Sequence, residues 1–378
     1  MNSLLIRRCI LVFISAFLWT ACCWGKTGEP DANRITTRIT HLEFSQDGGY
    51  MALVIRRSLN GNAMGHDIQL WSVETGKMLW TAEGPGQDNA LICFSPDGSK
   101  VALASLVWKN ASGTVRMWDT VTGKQGQDLV LKRHDQISAL AFSPDGKSLT
   151  ITISQVKMLD EKSEIKLFDI ETGEVRQTLI SLDGTASLLK YSSDGQMLIA
   201  VLSHKQQIKV QDTEVVFWNS SDYSVKQRVS LGKVGINRLS LSHDTSKVAL
   251  LGSKRDGIKM HPMMLTLWNV ETKSFQLTTL PADGKERVTY ISFTPDGGKL
   301  IVVGSIIRPL KGEVWILSGS TGDILGQLNA EDVFGEKKYA DTPAALLPNG
   351  QALAIVEAGA KRVELLSLED GTLIRAFE

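Results

Sequence analysis

Short runs of alternating apolar and polar residues recur along the chain, and each run is interrupted by a tight turn. Around the segment 143–146, Ser-Pro-Asp-Gly, the alternating apolar residues are Leu140, Phe142, Leu149, Ile151 and Ile153. Proline presets φ for the first corner of such a turn, Asp caps it, and Gly takes the positive φ that follows. Alternation with a period of two on both sides of a Gly-bearing turn predicts a β-hairpin.

The same turn occurs seven times, and its Asp or Asn lies 48 to 53 residues after the previous one. The copies are Phe44–Gly48, Phe94–Gly98, Phe142–Gly146, Tyr191–Gly195, Leu241–Thr245, Phe293–Gly297 and Leu346–Gly350. The fifth copy ends in Thr instead of Gly. A fixed period of this length indicates a repeat protein in which each repeat is one supersecondary unit.

A second pattern follows each hairpin: an aromatic residue at a fixed strand position, then a polar residue and a turn that is often Thr-Gly. The copies begin at Trp71, Trp118, Phe168, Trp218 and Trp268, and the last two are eroded to Leu317-Ser318 and Leu366-Ser367. Each repeat therefore holds four antiparallel strands. One such sheet cannot bury both faces alone, whereas seven arranged radially can. The sequence predicts an all-β, seven-bladed β-propeller with Trp71, Trp118, Trp218 and Trp268 in its core.

These two signatures resemble the WD40 repeat, and the resemblance covers roughly residues 34 to 378. The Trp-Asp dipeptide is intact only at Trp118-Asp119, and no Gly-His pair stands before the first strand of a repeat, where the family often has one. We therefore expect a divergent member that lacks the His–Asp network in most blades. The resemblance implies a protein or peptide partner, because most members of the family bind protein segments on a face of the ring.

Blade seven has enough sequence for four strands of its own, ending with Thr372 to Phe377. We therefore expect the ring to close mainly by packing, with the first strand beginning near Ile39. The segment Arg34–Thr37 would at most add an edge strand.

The N-terminus has the features of a secretory signal peptide. Arg7 and Arg8 precede an apolar run from Cys9 to Trp19, and small residues follow from Thr20 to Gly25. This run is shorter than the roughly 20 residues of a membrane span. We predict a signal peptide at 1–25, cleaved near Cys22 to Lys26, then a lead-in at 26–38 and the propeller at 39–378. An uncleaved anchor, a lipoprotein signal ending in Cys22 and twin-arginine export remain alternatives. The predicted location is outside the cytoplasm.

Net charge and the search for catalytic or metal-binding motifs narrow the range of possible functions. The chain has 41 Lys and Arg against 41 Asp and Glu, and this balance argues against nucleic acid as the partner. We find no contiguous catalytic motif and predict no catalytic residue, metal or cofactor. Cys93, the single cysteine after the N-terminal segment, is expected to be a buried small hydrophobe. The histidines, including His41 and His66, are expected to be exposed or lightly bonded.

Strand order places the tight turns on one side of the ring and the longer, variable loops on the other. Binding residues are usually found on loops, so we predict the partner site on the long-loop side. Trp108 follows an apolar strand there, and an exposed Trp is a typical binding hot spot. The alternative is that it folds back over the blade edge. The other predicted contacts are basic: Arg56, Arg57, Lys109, Lys254, Arg255 and Arg308.

The sequence thus favours a non-enzymatic interaction scaffold, which we expect to be monomeric. It would associate with a membrane only if the N-terminal segment were retained or lipidated. Two alternatives stay open: a propeller enzyme with a metal or cofactor at the central channel, and a sensor of small ligands or glycans. A fold alone does not separate these functions, because function depends on the site that the fold carries.

Overall fold

Each sequence repeat forms one four-stranded antiparallel sheet, or blade, whose strands pair in chain order. The computed structural model describes residues 35–107, 112–157, 160–204, 212–256, 259–279, 286–307, 310–328, 343–356 and 362–378. Residues 35–378 form one compact unit. In the ranges given, no helix has the length and apolar character needed to cross a membrane. The predicted segment 1–25 lies outside the described residues.

Blade 1 contains β1 (Ile35–Phe44), β2 (Tyr50–Leu59), β3 (Asn62–Ser72) and β4 (Met78–Glu83), and blade 2 contains β5 (Asp88–Phe94), β6 (Lys100–Val107), β7 (Ser112–Asp119) and β8 (Leu129–Val130). Blade 3 contains β9 (Asp135–Phe142), β10 (Ser148–Lys157) and β11 (Asp160–Asp169), and its fourth strand is the first part of the long strand β12 (Val175–Tyr191). Blade 4 contains the rest of β12, then β13 (Met197–His204), β14 (Asp212–Asn219) and β15 (Val225–Gly232). The long β12 joins the two blades because its first part pairs with β11 and its second part pairs with β13.

The strands of blades 5 to 7 are β16 (Val234–Leu241), β17 (Lys247–Asp256), β18 (Lys259–Asn269), β19 (Ser274–Thr279), β20 (Glu286–Phe293), β21 (Lys299–Ile307), β22 (Leu310–Ser318), β23 (Ile324–Leu328), β24 (Ala344–Leu346), β25 (Ala352–Val356), β26 (Val363–Ser367) and β27 (Leu373–Phe377). The predicted seven-bladed, all-β architecture is therefore confirmed.

The core consists of apolar layers between neighbouring blades. Between blades 1 and 2, for example, Val54 and Leu70 share a buried cluster with Leu103 and Trp118. The four tryptophans expected in the core, Trp71, Trp118, Trp218 and Trp268, are only 1–7% exposed. Burying such large side chains is strongly favourable, so the aromatic positions hold adjacent blades together.

The ring closes by packing, as the sequence predicts. Leu42 and Leu53 of blade 1 share a buried cluster with Ala354 and Phe377 of blade 7. The Phe377 ring stands edge-on to Trp71, with 6.0 Å between the ring centroids. The first strand begins at Ile35, earlier than the expected Ile39, because residues 35–38 continue the pairing with β2.

A hydrogen-bonded turn joins the first two strands of every blade, and we call it the Ser-x-Asp turn. In blade 2, the Ser95 hydroxyl donates to the Asp97 carboxylate at 2.6 Å and accepts the Lys100 N–H at 2.9 Å. Blade 6 has Thr294 and Asp296 in the same roles. Gly98 follows with φ of +69°, which glycine adopts without steric cost. In blade 7, Leu347 has no hydroxyl, and the Asn349 side chain accepts the Gln351 N–H and donates to Gln351 Oε1.

The polar residue after the fixed aromatic caps the turn between the third and fourth strands. The Asp119 carboxylate accepts the Thr122 N–H at 2.8 Å and the Thr122 hydroxyl at 2.7 Å. Asn269 accepts the Thr272 N–H at 2.8 Å in the same way. In these blades the residue that follows Trp therefore stabilises a local turn.

Ser95→Ala tests the Ser-x-Asp turn. We expect the free energy of unfolding to fall by about 1–3 kcal/mol at neutral pH, because the Lys100 N–H and the Asp97 carboxylate each lose a partner. Hydrogen bonds from Ser95 hold the pKa of Asp97 below its usual value. The stabilisation is therefore present above about pH 4 and is lost as pH falls through the folded-state pKa.

Urea unfolding at neutral and acidic pH measures the effect. Ser95→Thr is the matched control, since Thr294 occupies the equivalent position of blade 6 and should preserve the turn. Equal stability of the Ala and Thr variants at neutral pH would contradict the assignment.

Candidate functional site at the channel mouth

The first strand of each blade lines a central channel. The strands β1, β5, β9, β12, β16, β20 and β24 contact one another in that cyclic order, and β24 contacts β1. The Ser-x-Asp turns lie at one end of these strands. The connections between blades, and those between the second and third strands of a blade, lie at the other end. We call this second side the long-loop face.

A cavity of about 500 Å³ lies at the long-loop end of the channel, and we call it the channel-mouth cavity. It is lined by residues of the first three blades, and the polar ones include Thr40, His41, Arg56, His66, Gln136 and Ser138. They come from the parts of their strands farthest from the Ser-x-Asp turns or from the middle of β1. The volume is within the range of small-molecule binding sites.

Arg56 and Arg57, both predicted as partner contacts, have different surroundings. Successive side chains of a strand point to opposite faces. Arg56 accordingly lines the channel-mouth cavity, where its backbone pairs with those of Arg38 and His66. The Arg57 guanidinium instead lies 3.1 Å from the Asp67 carboxylate and 2.9 Å from that of Glu83. The structure therefore offers Arg56, rather than its neighbour, to a ligand in the cavity.

Two imidazoles lie beside Arg56. His66 is 3% exposed, and its Nδ1 lies 3.2 Å from the Gly86 carbonyl oxygen, to which it donates. Burial, together with smaller effects of positive charge on His66 and Arg238, lowers the pKa of His41 to about 4. His41 is therefore uncharged at neutral pH. The expectation that these histidines are exposed or lightly bonded is wrong for His66, because β3 carries it into the space between blades 1 and 2.

A β-bulge at Thr40 gives His41 its orientation. The pairing of β1 with β2 shifts register between Ile39 and His41. The same shift occurs at Ser138 in β9, Asn237 in β16 and Thr289 in β20. A bulge bends a strand and redirects the side chains that follow it. The bulges therefore form a repeated feature of the inner strands near the channel mouth.

Farther along β1, Glu43 lies close to the axis of the ring. Its carboxyl is within electrostatic reach of Lys190 in blade 4, Cys93 in blade 2 and Tyr290 in blade 6. The surrounding protein raises the pKa of Glu43 to about 7, and Lys190 opposes this rise. Channel solvent still reaches the exposed side chain, which limits the cost of its charge.

Cys93 is partly buried and packs against the apolar cluster between blades 2 and 3. Burial raises the pKa of its thiol well above the usual value, and Glu43 adds to the effect. The thiol therefore stays protonated at neutral pH and is a poor nucleophile.

The remaining predicted contacts are not assembled with Arg56 in the described structure. Lys254 and Arg255 lie on β17 of blade 5, which is not a neighbour of blade 1, and their side chains lie outside the described residues. Trp108, Lys109 and Arg308 also lie outside the described residues. Within the described ranges, no group of three or more His, Cys, Asp or Glu side chains is arranged to hold a metal ion.

Sequence reasoning missed the polar channel residues His41, Glu43, Lys190 and Arg238. The sequence feature that could have revealed them is a charged residue within a predicted inner strand, just before a Ser-x-Asp turn. Both faces of an inner strand are expected to pack against protein, so a charged residue there indicates the channel.

Glu43→Gln tests the electrostatics of the channel. The folded-state pKa of Glu43 is raised, so its contribution to stability is fully present below about pH 4.5 and is lost as pH rises through about 7. Glutamine stays neutral at every pH. The variant should therefore gain stability relative to the wild type between pH 5 and pH 8 in urea unfolding. Glu74→Gln, at an exposed turn position, is the control. If the difference in free energy of unfolding between Glu43→Gln and the wild type did not change with pH, the raised pKa of Glu43 in the channel would be contradicted.

The chain is similar in sequence to known WD-repeat proteins. No family profile matches the chain. It is 28% identical over 219 residues to the WD repeat-containing protein SL1-17 of Schistosoma mansoni, covering 52% of this chain and 66% of that protein. It is 29% identical over 147 residues to the mouse Periodic tryptophan protein 2 homolog, covering 35% of this chain and 15% of that protein. The matched regions thus span less than two thirds of either relative.

Solved structures show the same fold. Hydrazine synthase of Kuenenia stuttgartiensis superposes with a TM-score of 0.65 at 14% identity, covering 92% of this chain and 99% of that one. The β-propeller domain of Cps50 (Swd1) from Myceliophteria thermophila gives a TM-score of 0.63 at 12% identity, covering 89% and 99%. At these identities the likeness concerns the fold alone. The seven repeats, the four-stranded blades and the WD-repeat relatives together make this chain similar to proteins of the WD40-repeat family.

Proposed function

We propose that this chain is an exported, non-enzymatic scaffold that binds a protein or peptide partner on its long-loop face. The observation that carries the proposal is the channel-mouth cavity, in which Arg56 is presented beside two imidazoles. The similarity to WD-repeat proteins supports a partner of this kind. An arginine that reaches into a concave polar site is a frequent contributor to binding energy.

The two sides of the ring differ in what they offer a partner. In the Ser-x-Asp turns, hydroxyl, carboxylate and backbone N–H groups already bond to one another. A polar group that is satisfied internally gains little from a new contact. The long-loop face has the cavity, and this difference supports the proposed side.

Capture from an extract of exported proteins, with cross-linking and mass spectrometry, tests the binding face. Arg56→Ala and Trp108→Ala should each reduce recovery of a partner by roughly tenfold or more, as expected for binding hot spots. Lys147→Ala is the matched control, since it removes an exposed positive charge on the Ser-x-Asp side. Circular dichroism and thermal unfolding verify that each variant is folded. A partner recovered equally with both long-loop variants would overturn the proposed face.

Export is tested separately, by expression of the full chain in a bacterial host. We expect a mature protein in the envelope or periplasmic fraction that begins between Cys22 and Lys26. Replacing Arg7 and Arg8 by Glu should leave the precursor in the cytoplasm, because the positive n-region guides insertion of the signal. Recovery of the unprocessed wild-type chain from the cytoplasm would contradict export.

A further inference from the structure

We infer that the channel-mouth cavity is a binding site for a carboxylate group, with the Arg56 guanidinium as its principal contact. The inference goes beyond the proposed function, because the cavity would take this group from a peptide or from a free organic acid. It rests on the hydrogen bonding of Arg56, the charge around the cavity and the composition of its walls.

The hydrogen bonding of the Arg56 side chain leaves a donor group that a ligand could bind. Its Nε is buried and has no hydrogen-bond partner among the described residues. A buried N–H without a partner destabilises the fold, and more so when the group is charged. By contrast, the Arg116 guanidinium in blade 2 makes two bonds with the Asp128 carboxylate, at 2.8 and 2.7 Å. A ligand carboxylate would satisfy Arg56 as Asp128 satisfies Arg116.

The charge around the cavity is positive. His66 and Arg238 both disfavour a proton on His41, so the positive charges nearby are strong enough to act at that ring. The potential that repels a proton attracts an anion. None of the described residues that line the cavity is Asp or Glu. The described part of the wall therefore offers no carboxylate to Arg56.

The fixed positive charge of Arg56 and the planar shape of its guanidinium favour a ligand with one negative charge. His41 is neutral at pH 7, so Arg56 is the one lining residue with a fixed positive charge in the described set. A guanidinium fork matches the two oxygens of a carboxylate. Leu91 and Ile137 form an apolar part of the wall, against which the rest of the ligand can pack.

Fluorine NMR of the purified full-length protein tests the inference with three probes. The first is para-fluorobenzoate. The second is a pentapeptide that ends in para-fluorophenylalanine with a free carboxylate, and the third is the same peptide as its amide. We expect one or both carboxylates to bind at least about tenfold more tightly than the amide. Tighter binding of the peptide acid identifies a chain terminus as the ligand, and tighter binding of the benzoate identifies a small free acid.

Variants of two neighbouring arginines assign the binding to the cavity. Arg56→Gln should weaken carboxylate binding at least about tenfold, whereas Arg57→Gln, whose guanidinium is paired with Asp67 and Glu83, should not. If Arg56→Gln does not fold, Arg56→Lys keeps the charge without the fork and should still weaken binding. Equal binding of acid and amide, or unchanged binding by a folded Arg56 variant, would overturn the inference. Loss of probe binding in an Arg56→Ala variant that still captures its protein partner would support this inference while contradicting the proposed role of Arg56 in partner binding.

Discussion

A four-stranded sheet of this chain has two apolar faces, and covering both of them is the constraint on which the structure depends. Each interface between blades buries aliphatic and aromatic residues from two repeats, as Val54 and Leu70 do with Leu103 and Trp118. Only a closed ring covers every face. Among the described strands none is shared between the first and last blades, and Leu42, Trp71 and Phe377 complete the ring there by packing.

Ring closure also creates the channel and its chemistry. Inner strands meet around the axis, where curvature prevents their side chains from filling the space completely. Charged groups there are surrounded by protein and still meet solvent, as Glu43 does. Such an environment shifts pKa values and strengthens electrostatic interactions. The potential at His41 and the position of Arg56 therefore both follow from the closure of the sheets into a ring.

The turns of the fold could be predicted because each one depends on a few contiguous residues. A Ser, an Asp and a Gly at fixed spacing are enough to form a turn such as Ser95–Gly98, and the residue after Trp118 caps the next turn. The site could be predicted only in part. Arg56 and Arg57 are adjacent in sequence, yet strand alternation gives one to the cavity and the other to an ion pair with Asp67 and Glu83.

The sequence by itself determined the number of blades, the four strands of each, the turns between them and the aromatic core positions. The strands, turns and core positions depend on local periodicity and short-range hydrogen bonds within each repeat, and the number of repeats in the chain sets the number of blades. Tertiary structure decided which polar residues meet at the channel mouth: His41 lines the cavity with Arg56 of the same blade and lies within electrostatic reach of Arg238 from blade 5. That meeting depends on the bulges of the inner strands and on closure of the ring, because residues about 200 positions apart come together only when all seven sheets have packed.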